Sequence, residues 1–306
     1  MSNLYFVQNM MIFLEECFVK EPEFGDCFTI NPYYQKDTKA LNQLKTDIED
    51  MFCDRGLKFV PYDKCKAKKW ETIYQSSYFE PQYRSEFLSI SHKEIVLVED
   101  GLFDYMEQDN YDYYDNKKVY VFKPNLASGT AHRGIVNELK QNYHILERFD
   151  DRYKYILDMI ADKSDGVPIL YTTPLAEDFG VEESFVPTLL KYIKEEYNTD
   201  RIILKKHPRD HFNYRLNDFE VIECPQQVPG QFLDKACNGL NLFIFPSTVS
   251  FMCSRLDEIH FLNVLPDNDN YTKAFEVLKN TNLFGAGKQT LKTRLSHSKF
   301  TTENTS

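Results

Sequence analysis

The stretch IVLVEDG at residues 95–101 indicates the fold class, because a short apolar run stops there at two carboxylates and a glycine. Two later stretches repeat the arrangement: IILKKHPR at residues 202–209 and LFIFPST at residues 242–248. Short apolar runs of this kind are typical of strands buried in a parallel α/β sheet. Ligands of open α/β sheets bind outside the carboxyl ends of the strands. The three stretches therefore predict one site that combines a carboxylate, a histidine in a basic setting and a pair of hydroxyls.

Strands and helices are predicted to alternate along both halves of the chain. The predicted strands are residues 4–7, 27–30, 57–60, 94–98, 119–122, 169–171, 201–204, 220–222, 242–245 and 259–262. The predicted helices are residues 10–19, 39–53, 147–162, 183–197, 229–238 and 271–279. This pattern predicts an α/β fold of two facing Rossmann-like domains, residues 1–150 and 151–287, followed by a polar tail at 288–306. A single large Rossmann-type enzyme is the alternative.

Two nucleotide-binding motifs are absent from the sequence, which narrows the class of ligand. The chain has no GxGxxG after its first strand and no GxxxxGK[ST], which disfavours NAD, FAD and P-loop nucleotide binding.

Residues 105–118 are crowded with Tyr, Asp and Asn, and we interpret them as a solvated loop. Because functional residues favour loops, a loop that contacts an acceptor substrate is the alternative.

Composition and charge exclude several classes of protein. The net charge of −11 over 306 residues argues against a nucleic-acid binder, which needs a basic surface. Seven scattered cysteines without a CxxC pair indicate reduced thiols in a cytoplasmic protein and no structural metal. No signal peptide and no run long enough to span a bilayer are found.

The polar tail at residues 288–306 is expected to fray, with weak contact to an anionic membrane surface at the inner face of the cell membrane as the less favoured alternative. The oligomeric state is not specified, and a homodimer is left open.

Glu99 and Asp100 form a carboxylate pair at a predicted strand end, where neighbouring side chains point to opposite sides. One of them is expected to face an acceptor and to remove the proton of its hydroxyl as a general base. A helix N-cap or a turn acid is the alternative role. Gly101 permits a tight turn and close approach of a ligand. Gln8 and Asn9 follow the first predicted strand and are expected on the acceptor or donor-sugar side.

A basic cluster surrounds His207 and consists of Lys205, Lys206 and Arg209. In an acidic protein such a cluster can neutralise a bound phosphate, and a solvated basic turn is the alternative. Pro208 suits the first turn of a helix, which would place His207 near a helix N-terminus, where anions bind.

Ser247 and Thr248 offer two hydroxyls and, if a helix begins there, backbone N–H groups that can cradle a phosphate. A simple N-cap is the equally weighted alternative. The only Asp-x-Asp in the chain, residues 267–269, precedes a predicted helix, so we interpret it as a capping turn rather than a metal site.

These motifs together resemble the bacterial sialyltransferases of the lipooligosaccharide type, glycosyltransferase family 52, and the related capsular polysialyltransferases. Those families share a D/E-D/E-G motif, an HP motif and a Ser-Ser/Thr motif in that order. Here the three motifs are residues 99–101, 207–208 and 247–248, so the resemblance covers about residues 94–250. Residues 205–210 are its most specific part. The resemblance implies the GT-B type of two-domain fold.

The resemblance also implies roles for individual residues. Glu99 would be the base that activates the acceptor hydroxyl, with Asp100 as a second carboxylate, and His207 would contact the phosphate of CMP and assist its departure. The expected CMP contacts are Thr172, Thr173, Lys205, Arg209, Gln231, Ser247 and Thr248. Gln231 stands where the family often has a glutamate that reaches the ribose.

The expected activity is a metal-independent, inverting transfer of sialic acid from CMP-N-acetylneuraminic acid to a hydroxyl of a terminal galactoside or related sugar on a bacterial surface glycan. The CMP-sugar is a substrate, and no cofactor is expected. The expected partners are therefore a CMP-sugar donor and an oligosaccharide acceptor. One alternative is transfer of another CMP-activated nonulosonate or Kdo. An alternative of another class is a non-catalytic binding or assembly protein of a polysaccharide-synthesis complex.

Overall fold

A computed structural model describes residues 2–32, 38–79, 81–107, 111–164, 166–245, 249–250 and 259–262. The chain divides into two compact units. Unit 1 is Met1–Ile156 with Gln227–Pro229, and unit 2 is Leu157–Gln226 with Gly230–Ser306. The predicted helix at 271–279, the tail at 288–306 and the Asp-x-Asp at 267–269 lie outside the described residues.

Unit 1 is built on a seven-stranded sheet in which every pair of neighbouring strands is parallel. Its strands are β1 (Leu4–Val7), β2 (Cys27–Ile30), β3 (Lys58–Phe59), β4 (Trp70–Ser76), β5 (His92–Val98), β6 (Lys118–Val121) and β7 (Ile135–Glu138). Its helices are α1 (Met10–Val19), α2 (Thr38–Met51), α3 (Tyr62–Cys65), α4 (Pro81–Leu88) and the start of α5 (Tyr143–Ala161), which continues into unit 2.

The strand order of unit 1 is β3-β2-β1-β4-β5-β6-β7, so the order reverses between β1 and β4. In a doubly wound sheet the ligand crevice lies at such a reversal, outside the carboxyl ends of the strands. The sequence pattern did not predict β4, β7, α3 or α4. The omission of β4 matters most, because this strand pairs with both β1 and β5 and so completes the reversal.

The core of unit 1 is aromatic. Phe13 of α1 packs edge-on against Tyr5 of β1 and against Phe52, and the single tryptophan, Trp70, donates from its indole nitrogen to the Cys65 carbonyl at 3.0 Å. Helix α1 packs against β1, β4 and β5, and its residues from Ile12 to Phe18 are all buried. It is therefore buried on all sides, which explains why its sequence lacks an apolar stripe.

Unit 2 repeats the architecture with five parallel strands. They are β8 (Ile169–Tyr171), β9 (Arg201–Lys205), β10 (Glu220–Cys224), β11 (Asn241–Phe243) and β12 (Ile259–Phe261), with helices α6 (Leu175–Phe179), α7 (Phe185–Glu196) and α8 (Gly230–Ala236). The order β10-β9-β8-β11-β12 reverses between β8 and β11. Among the described residues, no helix has both the length and the apolar character that a membrane span requires.

Candidate active site

The carboxylate pair follows β5, as the sequence predicts, but its two members have different surroundings. Glu99 is fully buried, whereas Asp100 is partly exposed. Oε2 of Glu99 accepts hydrogen bonds from the Tyr105 hydroxyl at 2.5 Å and from the Phe122 amide at 2.7 Å. Its other oxygen, Oε1, is buried without a hydrogen-bond partner. The carboxylate is thus fixed through one oxygen, and the second oxygen lacks a partner within the protein.

Burial raises the pKa of Glu99 well above its usual value, and the charge of Asp104 adds to this effect. Asp104 lies in the turn after Glu99 and is also buried. Its carboxylate accepts from the Ser77 hydroxyl at 2.8 Å, the Tyr114 hydroxyl at 2.8 Å and the Asp100 amide at 2.7 Å. Because burial outweighs these hydrogen bonds, the pKa of Asp104 rises to about 7. Asp104 therefore ties the end of β4 to the end of β5.

A third buried carboxylate, Glu15, enters this region from α1. Both of its oxygens are buried without a hydrogen-bond partner. Burial, followed by the charges of Glu99, Asp100 and Asp104, raises its pKa well above the usual value. Burial without a hydrogen-bond partner penalises the charged form of this carboxyl, because an unpaired buried charge is far more costly than a neutral acid.

In the loop at residues 105–118, Glu107, Asp112 and Asn116 are exposed as expected of a solvated loop, but that interpretation is wrong for its tyrosines. Tyr105, Tyr111, Tyr113 and Tyr114 are all buried. The rings of Tyr111, Tyr113 and Tyr114 pack among themselves and against Phe79 and Phe103. The hydroxyls of all four tyrosines form hydrogen bonds with polar groups of the protein. The Tyr111 hydroxyl, for example, donates to the Ser77 carbonyl at 2.8 Å and accepts from the Phe79 amide at 3.2 Å. Each hydroxyl thereby satisfies a group that the apolar ring covers.

Three other predicted residues of unit 1 also have defined places. Asn9 is the N-cap of α1, because its side-chain oxygen accepts from the amides of Met11 and Ile12. Gln8 is buried, and its amide nitrogen donates to the Tyr78 carbonyl at 3.1 Å across the reversal between β1 and β4. Gly101 has a φ of +67°, the left-handed region in which a side chain is strained. Gly101 thus permits the sharp turn that follows Asp100.

In unit 2, β8 and β9 bring Thr172 and His207 together. The His207 amide donates to Oγ1 of Thr172 at 3.0 Å, and Nδ1 of His207 accepts from the Arg209 amide at 3.1 Å. The histidine is therefore neutral, with its proton on Nε2. Burial lowers its pKa to about 3, and the positive charges of Arg209 and Lys205 contribute. Thr173, the next residue after Thr172, is buried.

No helix begins at Pro208, so that prediction is wrong. Residues 208–209 form a turn, which the Asp210 amide closes by donating to the His207 carbonyl at 2.9 Å. The loop that follows is held by Asp210, whose carboxylate accepts from the Phe212 amide at 3.1 Å and from the Tyr214 hydroxyl at 2.8 Å. His207 is thus fixed by a turn and a side-chain network rather than by a helix N-terminus.

Each cation around His207 has a protein partner, and Lys206 and Arg209 are at the same time partly exposed. The buried ammonium of Lys205 donates to the carbonyls of Pro225 and Gln226, at 3.2 and 2.8 Å. Lys206 donates to the Phe212 carbonyl at 2.8 Å. Arg209 pairs with Glu177 at 2.9 Å and with Asp178 at 3.3 Å. The basic cluster therefore supports the loops of unit 2 and places positive charge near His207 through groups that the fold already holds.

Gln231, at the start of α8, has a side chain that the fold does not satisfy. The residue is 2% exposed, and neither its amide nitrogen nor its amide oxygen has a hydrogen-bond partner. The Tyr171 hydroxyl at the end of β8 donates to the carbonyl of the preceding residue, Gly230, at 3.1 Å. The buried side-chain amide of Gln231 thus has a donor and an acceptor without a protein partner, next to the end of β8.

The motifs did not predict the buried residues that interact with Glu99: Glu15, Asp104 and Tyr105. None of them lies in a motif, and only the strand-end position of Glu99 could have suggested that partners surround it. Ser247 and Thr248 lie outside the described residues. Within the described part of the chain, no group of three or more His, Cys, Asp or Glu side chains is arranged to hold a metal ion.

Comparisons with known proteins agree with this architecture. A solved structure of UDP-GlcNAc 2-epimerase from Methanocaldococcus jannaschii, in complex with UDP-GlcNAc and UDP, matches with a TM-score of 0.50 and 14% sequence identity. The match covers 95% of this chain and 96% of that one, and it shows that the fold is two Rossmann-like domains of the GT-B type. Among curated protein sequences, none matches the chain.

The family model described as glycosyltransferase family 52 matches residues 35–267, which is more than half of the chain. This match confirms the resemblance drawn from the three motifs. The chain belongs to glycosyltransferase family 52 and is a CMP-sugar-dependent glycosyltransferase of the sialyltransferase type.

Proposed function

We propose that this protein transfers sialic acid from CMP-N-acetylneuraminic acid to a hydroxyl of a terminal galactoside or related sugar on a bacterial surface glycan. The reaction is a single inverting displacement at the anomeric carbon and uses no metal ion. Unit 2 supplies the contacts to CMP, and unit 1 supplies the base.

The proposal that unit 2 binds the CMP-sugar rests on the side-chain amide of Gln231, which is buried without a hydrogen-bond partner. A side-chain amide can donate to one ribose hydroxyl and accept from another. Because a buried polar group without a partner costs about 1–3 kcal/mol, the amide destabilises the free protein and is satisfied when a nucleoside binds. Gln231 would therefore hold the ribose of CMP, in the place where the family often has a glutamate.

His207 acts on the phosphate of CMP as a neutral donor in the free protein. Its Nδ1 is engaged by the Arg209 amide, so the Nε2–H group is the one that can bind a phosphate oxygen. The negative phosphate then raises the pKa of the ring, so protonation during departure of CMP becomes easier. Thr172 and Thr173 lie at the same sheet edge, and Ser247 and Thr248 are the further hydroxyls proposed for the phosphate. Lys205 and Arg209 contribute positive charge.

Glu99 is the proposed base. Its Oε2 is held by two donors, which leaves Oε1 to accept the proton of an acceptor hydroxyl. The raised pKa makes it a stronger base than an exposed glutamate. Because Glu99 is fully buried, its role as base requires that Oε1 become accessible when the substrates bind. Asp100, the partly exposed member of the pair, is the second carboxylate.

The first test is release of CMP from CMP-N-acetylneuraminic acid, with and without lactose, in EDTA. We expect lactose to stimulate release and EDTA to have no effect. Tight CMP binding without release would instead favour another CMP-activated acid such as Kdo. CMP binding without release from any CMP-sugar would identify a non-catalytic binding protein. Absence of CMP binding would overturn the proposal.

The Gln231→Leu variant separates a ligand contact from a structural role. Leucine removes an unsatisfied buried amide, so we expect the free protein to melt at a higher temperature. The same change should weaken CMP binding about tenfold in isothermal titration calorimetry, since one or two hydrogen bonds are lost. Gln226→Leu, at an exposed position nearby, is the matched control. Lower stability together with unchanged CMP affinity would show that the amide serves the fold.

A further inference from the structure

The turn after β5 brings a tyrosine back to the carboxylate at which the turn begins. Glu99 continues the strand ladder, because its amide donates to the Tyr120 carbonyl of β6 at 2.9 Å. Gly101 then supplies the left-handed backbone that starts the short 3₁₀ helix Gly101–Tyr105. The last residue of this helix, Tyr105, is buried and donates from its hydroxyl to Oε2 of Glu99. A local turn therefore returns a hydroxyl to the proposed base.

The chain after β6 fixes the direction of this hydroxyl. The Lys123 amide donates to the Tyr105 oxygen at 3.0 Å, and the hydroxyl gives its own proton to Oε2 of Glu99 at 2.5 Å. The neighbouring Phe122 amide donates to the same Oε2 at 2.7 Å. Oε2 thus receives two donors, whereas Oε1 is buried without a hydrogen-bond partner. A proton that Glu99 gains therefore belongs on Oε1.

The acids around Glu99 disfavour its charged form. Asp100 and Asp104 lie in the same turn, and Glu15 lies on α1, which packs against β5. Burial is the largest cause of the raised pKa of Glu99, and Asp104 and Asp100 act in the same direction. A general base must nevertheless be ionised before it can take a proton. The site therefore needs donors that stabilise the carboxylate.

Tyr105 and the Phe122 amide are such donors, because their hydrogen bonds lower the pKa of Glu99. The pKa of Tyr105 itself is raised, first by burial and then by the charge of Glu99, so its hydroxyl stays protonated and remains a donor. A backbone amide is present at nearly every position, whereas the hydroxyl depends on the tyrosine. Tyr105 is thus the side chain through which the sequence stabilises the ionised base.

We infer that Tyr105 is a positioning residue for Glu99, which confines the transferred proton to Oε1 and stabilises the carboxylate form of the base. This inference rests on the proposed function and adds to it a residue that lies outside the three motifs. Without the hydroxyl, Oε2 keeps only the Phe122 amide, and the ionised form of Glu99 becomes rarer at any pH below its new pKa.

The test compares the pH profile of kcat/KM for lactose, at saturating CMP-N-acetylneuraminic acid, between the unchanged protein and Tyr105→Phe. Phenylalanine keeps the ring and removes the hydroxyl, so we expect the acid limb of the profile to move up by about one pH unit. The loss is about tenfold on that limb and shrinks as the pH rises above it. Tyr113→Phe is the matched control, because Tyr113 is a buried tyrosine of the same loop whose hydroxyl is bonded to Gln75.

Two companion variants separate positioning from a structural role. A ring-fluorinated tyrosine at position 105 keeps the shape of the side chain and donates more strongly, so it should move the acid limb to lower pH. Tyr105→Phe added to Glu99→Gln should lower kcat/KM no further than Glu99→Gln alone, because Tyr105 acts through the carboxylate. Additive losses would mean that Tyr105 acts independently of Glu99.

An acid limb that stays in place in both position-105 variants, or a loss that is equal at every pH, would overturn the inference. If the unchanged protein released no CMP with lactose, the proposed function would fail instead. Urea unfolding at a series of pH values would then still decide how Tyr105 acts on Glu99. Removal of the hydroxyl raises the folded pKa further above the unfolded one, so Tyr105→Phe should cost more stability as the pH rises. An equal cost at every pH would refute the stabilised carboxylate.

Discussion

The carboxyl-terminal edges of the two sheets differ in whether their charged groups have hydrogen-bond or ion-pair partners within the protein. At the edge of unit 1, Glu15 and Oε1 of Glu99 are buried without hydrogen-bond partners. At the edge of unit 2, Lys205 and Arg209 are held by carbonyls or carboxylates. Both edges lie at the carboxyl ends of parallel strands in sheets whose strand order reverses, so topology alone does not produce the difference.

The difference suits the two tasks in the proposed reaction. A base must be able to gain a proton, and a carboxylate with raised pKa and an unpartnered oxygen is suited to that. A phosphate site needs a positive charge that does not change position, and the Lys205 ammonium, held by two neutral carbonyls, provides one. The three predictions below challenge this contrast, beginning with the one of largest effect.

The largest effect is expected for Glu99→Gln. Glutamine can keep the hydrogen bonds from Tyr105 and Phe122 but cannot take a proton, so kcat for transfer to lactose should fall by about 10²-fold or more. Asp100→Asn is the matched variant, for which we expect a loss of less than about tenfold because Asp100 is not the base. Steady-state rates at saturating lactose measure both. The opposite ranking would assign the base to Asp100, and two small effects would remove the pair from the chemistry.

His207→Ala should lower kcat/KM for the donor by about 10²-fold, because the phosphate loses its donor. The pKa of about 3 keeps His207 neutral in the free protein throughout pH 5–8. Since kcat/KM depends on the ionisation of the free protein, the profiles of the two proteins should run parallel over that range. An inflection near pH 6.5 that only the unchanged protein shows would mean that His207 titrates normally and that its surroundings differ from those described.

The smallest effect concerns Glu15→Gln and thermal stability. The folded pKa of Glu15 lies above the unfolded one, so the acid costs nothing below about pH 4 and destabilises the fold increasingly as pH rises. Glutamine removes this cost. We expect its melting temperature to equal that of the unchanged protein near pH 4 and to exceed it by about 5 °C at pH 7. Glu147→Gln, at an exposed position, should show no such trend. Destabilisation by Glu15→Gln at every pH would indicate an ionised, partnered glutamate.

The local sequence pattern was sufficient to predict the strands that end at the motifs. The apolar runs before Glu99 and His207 form β5 and β9 because each run is short, buried and stopped by polar residues. The same pattern did not predict β4, because its WETIYQS sequence mixes polar and apolar residues. Gln75 and Ser76 of this strand are nevertheless buried, because β4 lies between two other strands and is covered by α1. Burial of polar residues depends on neighbours that are distant in sequence.

The sequence by itself determined the alternation of strands and helices, the strand-end positions of Glu99, Thr172 and His207, and through its motifs the family. Tertiary structure alone decided which carboxylate of the pair is buried, that the cations near His207 are held by the protein, and that the loop tyrosines are packed. The reason is physical: periodicity and turn chemistry act over a few residues, whereas the state of a charge depends on whatever the fold brings against it. Lys205, for example, finds its partners twenty residues later in the chain.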